Sequence, residues 1–281
     1  MIRAAIIGIS GRMGHALVRA AAERTDIKIT AAVASRGSPS TAKDAGELAG
    51  AGKIGVAVTD DLASALANCD VAIDFSGGSA TAGNLAACRA VRRPLLIGTT
   101  GYPAAELDGQ FEAAAREIPL LVASNTSVGI TLLEALVRTA AQALPQTFDI
   151  EVFEAHHRMK RDAPSGTALT LGEAAAAGRR APAGESQARN WLTADELAAA
   201  RARPPGPRRE GEIGFAVARG GDIVGEHSVL FAGPGERITL SHSATDRAVF
   251  ARGALAAARW LAGRPPGRFS MRDFIFSKST S

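Results

Sequence analysis

Cysteine is scarce, with only Cys69 and Cys88 in 281 residues. Each sits among apolar neighbours, with no C-x-x-C and no histidine at ligand spacing. That excludes a disulfide framework and a thiolate metal site, and it points to buried free thiols in a reducing compartment. Long apolar runs are missing as well, since none reaches the length of a membrane span. The opening MIRAAIIGIS carries too short an apolar stretch for a signal peptide and meets glycines at once, so the expectation is a soluble, cytoplasmic protein. Charge of one sign is equally lacking: 32 basic side chains against 28 acidic leave a net of +4, which suits small anions without calling for nucleic acid. No acidic or Cys/His set has ligand spacing, so no metal is expected.

With 46% apolar residues the chain has ample core for one large domain or two modest ones. Residues 3–9 form an apolar run without alternation, as in a strand buried on both faces of a parallel sheet. It leads into Gly8-Ile9-Ser10-Gly11-Arg12-Met13-Gly14, after which Met13, Leu17, Val18 and Ala21 share one helical face. Strand, glycine turn and helix make the first unit of a dinucleotide-binding fold, whose glycines let the backbone approach a pyrophosphate at the helix N-terminus. Ser10 stands where the usual G-x-G-x-x-G has its middle glycine.

A second strand over 28–33 ends in Ala34-Ser35-Arg36, with no carboxylate to take a ribose 2′-hydroxyl or to repel a 2′-phosphate. With a hydroxyl and a guanidinium there instead, NADPH is favoured over NADH. Apolar strands over 71–75, 94–97 and 120–123 alternate with helical stretches. They end in Ser76-Gly77-Gly78-Ser79, Gly98-Thr99-Thr100-Gly101 and Ala123-Ser124-Asn125-Thr126. Ligands bind at such carboxyl ends, so these loops complete the expected cofactor site of an α/β fold.

An amphipathic helix over 130–144 stops at Pro145, and a strand over 148–155 opens a second, smaller α+β domain. That strand delivers EAHHRMKRDAPSGTAL, residues 154–169. A histidine exchanges protons near neutral pH, and a lysine adds protons and positive charge. Ser165-Gly166-Thr167 at a helix start offers N–H groups and hydroxyls to a carboxylate or phosphate. A short basic run is more often a solvated loop. The turn and helix start directly behind the charges, together with the N-terminal glycine turn, favour a site for a small anion that needs proton transfer.

Residues 178–189 are polar, and RARPPGPRREG at 201–211 lacks aromatics to stack bases and reads as a surface loop. Strands over 213–219, 223–232 and 237–242 are joined by Gly220-Gly221-Asp222 and Gly233-Pro234-Gly235, which read as hairpin-like turns of an antiparallel or mixed sheet. His227 and His242 are single histidines on strands and read as structural. An Ala-rich helix over 246–261 and a tail at 271–274 that is apolar enough to dock close the chain.

Glu154, His156, His157, Lys160, Asp162, Pro164, Ser165, Gly166, Thr167 and Ala168 match, in order and spacing, the E-x-H-H-x-x-K-x-D-x-P-S-G-T-A signature of the bacterial dihydrodipicolinate reductases of lysine biosynthesis. The resemblance extends to the G-x-x-G-R-M-G turn, to D-x-G-E-L-A-G at 44–50, to G-T-T-G at 98–101, to Asn125, Ser127 and Gly129, and to G-D-I-V-G-E-H at 221–227. The chain departs from the family at Ala34, where an acid is common, at Gly77-Gly78, where a basic residue or proline is common, and at Thr126, where an aromatic is common.

The resemblance implies a Rossmann-type parallel sheet over 1–128, completed by 243–281, and a substrate-binding and oligomerisation domain over 129–242. It implies reduction of 4-hydroxy-tetrahydrodipicolinate, a small cyclic dicarboxylate, to tetrahydrodipicolinate with NADPH or NADH. It also implies a homotetramer assembled through the second domain's sheet. His156 is then the general acid/base and Lys160 a second proton donor. His157, Ser165, Gly166 and Thr167 bind substrate carboxylates with help from Thr100. Two rivals stand beside this reading. One is a related NAD(P)-dependent dehydrogenase acting on another amino-acid-derived imine. The other has no enzymatic activity: an NADP(H) sensor, or a nucleic-acid binder using the basic run.

Overall fold

Strand β1 (Ile2–Ile7) divides its side chains between two cores. Ala4 and Ile6 join Leu17 and Val18 of helix α1 (Arg12–Ala22), whereas Ala5 and Ile7 join Leu66, Leu85 and Phe111 on the other face. A strand buried on both sides needs no polar alternation, which is why the sequence shows an unbroken apolar run. Side chains such as Ile6, Leu17 and Ile73 are fully enclosed, and each contributes roughly 1.5–3 kcal/mol by leaving water.

Strands β2 (Ile27–Val33), β3 (Val58–Thr59), β4 (Val71–Asp74), β5 (Leu95–Ile97) and β6 (Pro119–Val122) pair parallel around β1. The sheet order is β11-β6-β5-β4-β1-β2-β3, where β11 (Gly267–Phe269) comes from the far end of the chain. Strand order reverses between β1 and β4, the place where open α/β sheets leave a crevice at their carboxyl ends. Helices α3 (Leu62–Ala67), α4 (Thr81–Ala90) and α5 (Ala104–Ala115) cover one face. On the other face lie α1, α2 (Ala45–Ala49) and the C-terminal helix α8 (Ala248–Leu261). Cys69 and Cys88 are free and buried in the first of these faces, and burial raises both thiol pKa values.

The D-x-G-E-L-A-G segment carries no chemistry that its sequence explains. In the fold, Asp44 caps α2 through the N–H groups of Gly46 and Glu47 and also accepts those of Ile54, Gly55 and Val56. One carboxylate thereby closes the loop from 44 to 56.

The structure, a computed structural model, describes residues 1–180, 208 and 211–277. They form two compact units, Met1–Val128 with Arg247–Ser281, and Gly129–Asp246. The polar stretch after Arg180 and the basic loop over 201–211 fall outside the described residues, apart from Arg208 and Gly211. Arg208 pairs with Glu151 at 2.6 Å. Among the described residues no helix is long and apolar enough to cross a membrane. After β11, helix α9 (Met271–Phe276) is held by a capping box between Ser270 and Asp273, and Met271 is buried.

The smaller unit contains α6 (Val128–Ala143), β7 (Asp149–His156), α7 (Gly166–Arg180), β8 (Ile213–Arg219), β9 (Gly225–Gly233) and β10 (Glu236–Ala244). Its sheet order is β10-β9-β7-β8. Ile150 and Val152 of β7 pack with Val229 and Phe231 of β9 beneath Leu133 and Val137 of α6 and Leu171 of α7. The turn at Gly233-Pro234-Gly235 is a hairpin as expected, with Gly233 opposite Glu236. The turn at Gly220-Gly221-Asp222 is not. Strand β8 runs parallel to β7, β9 runs antiparallel to it, and β7 lies between them. The turn therefore passes over the end of β7, where Gly220 N–H donates to the His156 carbonyl and Arg158 N–H to that of Gly221.

Candidate active site

The larger unit gathers the predicted cofactor residues at the carboxyl ends of its parallel strands. Gly8 has φ +91°, and a Cβ there would lie 2.6 Å from the Phe75 carbonyl oxygen behind β4. A Cβ on Gly14 would lie 2.5 Å from the Gly8 carbonyl oxygen. Only glycine permits this closeness of β1, β4 and α1. Gly11 caps α1 without a side-chain hydrogen bond, and no acid lies in the first turn, so its N–H groups are available to an anion. Ile9 is buried, Ser10, Gly11 and Arg12 are exposed and Met13 is half-buried. The Ser10 hydroxyl lies 3.2 Å from that of Ser38 and 3.3 Å from that of Ser40, joining the β1 turn to the loop after β2. Ala34 is buried, while Ser35 and Arg36 are exposed at the end of β2.

Some predicted side chains are turned inward. The Thr99 hydroxyl donates to Asp74 Oδ1 at 3.1 Å, and Asn84 Nδ2 donates to Asp74 Oδ2 at 3.0 Å. Asp74 also accepts the Ser76 N–H, so this buried carboxylate fixes the starts of the loops after β4 and β5. The Thr126 hydroxyl donates to the Phe250 carbonyl at 2.7 Å, and Asn125 Oδ1 accepts the Ser127 N–H at 2.8 Å. Gly98 is buried and Ala123 half-buried, while Thr100 and Ser124 are exposed. The glycine cradle, the uncapped helix start and the exposed hydroxyls fit a dinucleotide.

In the smaller unit, strand register assembles the second site. Glu154 and His156 are two residues apart on β7 and so share the covered face with Ile150 and Val152. Arg219 of β8 is paired with His156, and His227 of β9 with Glu154. Three neighbouring strands thus bring four polar side chains to one patch. Arg219 donates to both Glu154 oxygens at 2.8 Å and also donates to the Asp162 carbonyl at 2.7 Å. The Ser165 N–H donates to Glu154 Oε1 at 3.1 Å. His156 Nδ1 lies 2.5 Å from Glu154 Oε2.

Burial by itself would raise the Glu154 pKa, but hydrogen bonds from His156 and Arg219 and the Arg219 charge outweigh it and hold the value at about 2. An ionised carboxylate only accepts, so the Nδ1 atom of His156 carries the hydrogen and Nε2 is its working end. A Cβ on Gly225 would lie 3.2 Å from that Nε2, so Gly225 leaves it room.

His227 packs edge-on to His156 with ring centroids 5.1 Å apart. Burial, with the neighbouring His156 charge, lowers its pKa to about 4, so it is neutral at pH 7. Its Nε2 lies 3.1 Å from the Ser165 hydroxyl, which also accepts the Ala168 N–H and so caps α7. Ser165 is 2% exposed with both polar groups engaged. Its side chain is part of the frame, which corrects the expectation that this hydroxyl faces a ligand. Gly166 is exposed and Thr167 half-buried in the first turn of α7. Lys160 Nζ pairs with Asp162 at 2.7 Å, and the His157 carbonyl accepts the Lys160 N–H.

The structure thus brings His156, Lys160, His157 and Ser165-Gly166-Thr167 to the end of one strand and the start of one helix. Arg219, His227 and Gly225 are the members that the sequence reading left out. A signal existed for His227 and Gly225, because both fall in the G-D-I-V-G-E-H stretch.

Two family models cover the chain: "Dihydrodipicolinate reductase, N-terminus" matches residues 2–126 and "Dihydrodipicolinate reductase, C-terminus" matches residues 129–275. The 4-hydroxy-tetrahydrodipicolinate reductase of Alkalilimnicola ehrlichii is 48% identical over 275 residues, covering 97% of this chain and 98% of the relative. That of Rhizobium rhizogenes is 49% identical over 273 residues, covering 96% and 95%. A dipicolinate-bound dihydrodipicolinate reductase from Paenisporosarcina sp. TG-14 shares the fold, with a TM-score of 0.72, 23% identity and coverage of 96% and 97%.

Proposed function

The chain belongs to the dihydrodipicolinate reductase family, and from that premise we propose that it reduces 4-hydroxy-tetrahydrodipicolinate to tetrahydrodipicolinate in the diaminopimelate route to lysine. The substrate loses water and takes up a hydride and a proton, and NAD(P)H leaves as NAD(P)+. The observation that carries this reading is the buried, ionised Glu154 on His156 at a strand end that continues into Lys160 and the α7 start. That is proton-transfer equipment beside a place for a carboxylate, which an NADP(H) sensor has no use for.

The dinucleotide, when bound, supplies the hydride. Gly8, Ser10, Gly11 and Arg12 would hold its pyrophosphate at the α1 N-terminus, and Gly98, Thr100, Ala123 and Asn125 would line its nicotinamide end. Ser35 and Arg36, with no acid at Ala34, favour NADPH. His156 handles the proton through Nε2. Lys160 donates the second proton, and its charge stabilises the negative charge that develops on the substrate. Gly166, Thr167 and His157 take the substrate carboxylates, with Ser165 holding the helix start beneath them.

The homotetramer is part of the same reading, formed through the open sheet face on which β7 exposes Phe153. Free, buried Cys69 and Cys88 suit a cytoplasmic setting.

One preparation tests all of this. Substrate is generated from pyruvate and aspartate semialdehyde by the preceding synthase, and oxidation of NADPH and NADH is followed spectroscopically. Turnover with a lower KM for NADPH and a tetrameric mass by light scattering is expected. His156→Ala and Lys160→Ala should each lose roughly 10²–10⁴-fold in kcat while still binding NADPH. Full activity in both variants would show that the reaction is carried elsewhere in the chain.

A further inference from the structure

Glu154 itself exchanges no proton and binds no substrate carboxylate in the roles just assigned, yet its side chain is 0% exposed and its carboxylate is held by His156, Ser165 and Arg219 of the site. We propose that Glu154 and Arg219 are the positioning pair of the reaction: the carboxylate fixes the tautomer of His156 and stabilises its imidazolium, and Arg219 ties that carboxylate to the loop bearing Lys160. The proposal rests on the reading of His156 as the proton-handling residue.

A buried carboxylate has to be compensated, and an Arg219 fork at 2.8 Å on both oxygens does that by itself. A simple structural pair between β7 and β8 would need nothing more. The geometry adds two features. The imidazole of His156 takes a further lone pair of the same carboxylate through Nδ1, which leaves Nε2 as the only ring atom free to exchange a proton with a substrate. Arg219 sends its second amino group to the Asp162 carbonyl as well, and Asp162 holds Lys160. One guanidinium therefore sets the carboxylate and the catalytic loop in a common frame.

The charged and titratable surroundings are few. Arg219 faces Glu154 and His156 from β8, His227 from β9 with His242 beside it on β10, and Lys160 and Asp162 from the loop after β7. From the residue that caps α7 comes the Ser165 N–H. Neutral His227 adds no charge at pH 7, so Arg219 is the cation that compensates the Glu154 carboxylate while the same carboxylate holds His156 Nδ1.

The test is Glu154→Gln, which keeps the shape and an acceptor and removes the charge. Expected is a kcat lower by about 10²-fold, within the range a positioned acid/base contributes, with unchanged KM for substrate and unchanged NADPH affinity. The kcat pH profile should also differ from that of the wild type, because the charge beside the imidazole is gone. Added to His156→Ala, the change should cost nothing further in kcat. Arg219→Lys, which keeps the charge and breaks the fork, serves if the first variant does not fold. It should lower kcat at unchanged KM, and it should retain more activity than Arg219→Ala. A wild-type kcat and pH profile in folded Glu154→Gln or Arg219→Lys, with only a lower Tm, would reduce the pair to a structural ion pair and overturn the proposal.

Discussion

At the end of β1 the chain turns on Gly8 and Gly14 and presents backbone N–H groups with the hydroxyls of Ser10, Ser38 and Ser40. At the end of β7 it buries a carboxylate among a guanidinium and two imidazoles. The first construction depends on how closely backbone segments approach; it is intolerant of volume and has little to titrate. The second depends on charge and proton positions, so it should tolerate a small change of volume and respond to pH.

The harshest way to break the comparison is Gly14→Ala. The new Cβ would lie 2.5 Å from the Gly8 carbonyl oxygen and 2.6 Å from Ile9 Cα, with backbone on both and no side chain to give way. Destabilisation of about 3 kcal/mol or more is expected, with NADPH binding lost even in protein that remains folded. Thermal unfolding and a fluorescence titration with NADPH measure the two effects. An unaltered affinity would mean that the cradle is looser than the contact distances require.

The difference in pH response sharpens it. The Glu154 pKa falls from 4.5 to about 2 on folding, so its contribution is present above pH 4.5 and is lost as pH falls towards 2. The His227 pKa falls from 6.5 to about 4, so folding with a neutral ring costs nothing above pH 6.5. Below that the unfolded state gains a proton that the folded state refuses until about pH 4. Both shifts make acid destabilise the smaller unit, with His227 accounting for up to about 3 kcal/mol. Urea unfolding at a series of pH values should show this slope, and His227→Gln should flatten it between pH 6.5 and 4. Hydrogen exchange should place the acid-induced opening in β7 and β9 before β1 and β4. An equal slope in the variant would remove His227 as its source.

How much of each construction can be read from sequence follows from how far apart its parts lie along the chain. The strand, turn and helix around Gly8 fall within residues 2–22, and the stretch from Glu154 to Thr167 is equally local. Arg219 reaches Glu154 across 65 residues and His227 reaches Ser165 across 62, through strand register that no local pattern encodes. The same blindness produced the misread turn at Gly220–Asp222. Two strand-like runs with a short glycine link fit a hairpin, but β7 takes the place between them and offers both edges to pairing. Strand β11 was invisible because three residues carry no period, although they extend the larger sheet beside β6. The inward turn of the Ser165 hydroxyl was equally hidden, since its partner His227 lies on another strand.

The smallest effect separates the two constructions most finely, because it uses the same substitution as the harshest one. In Gly225→Ala the new Cβ meets His156 Nε2 at 3.2 Å and His227 Cε1 at 3.7 Å, both side-chain atoms that can give by tenths of an ångström. Stability should change by less than about 1 kcal/mol. The ring of His156 cannot yield without moving on its Glu154 anchor, so kcat should fall by about three- to tenfold at unchanged KM, a fraction of what a full 1 Å misplacement costs. Steady-state kinetics beside a urea titration reads both quantities. A loss of stability without a loss of kcat would mean that Gly225 serves packing alone. A loss of kcat at wild-type stability would mean that the methyl group acts on the proton-bearing atom, which is the behaviour expected of a site built from charge and not from backbone.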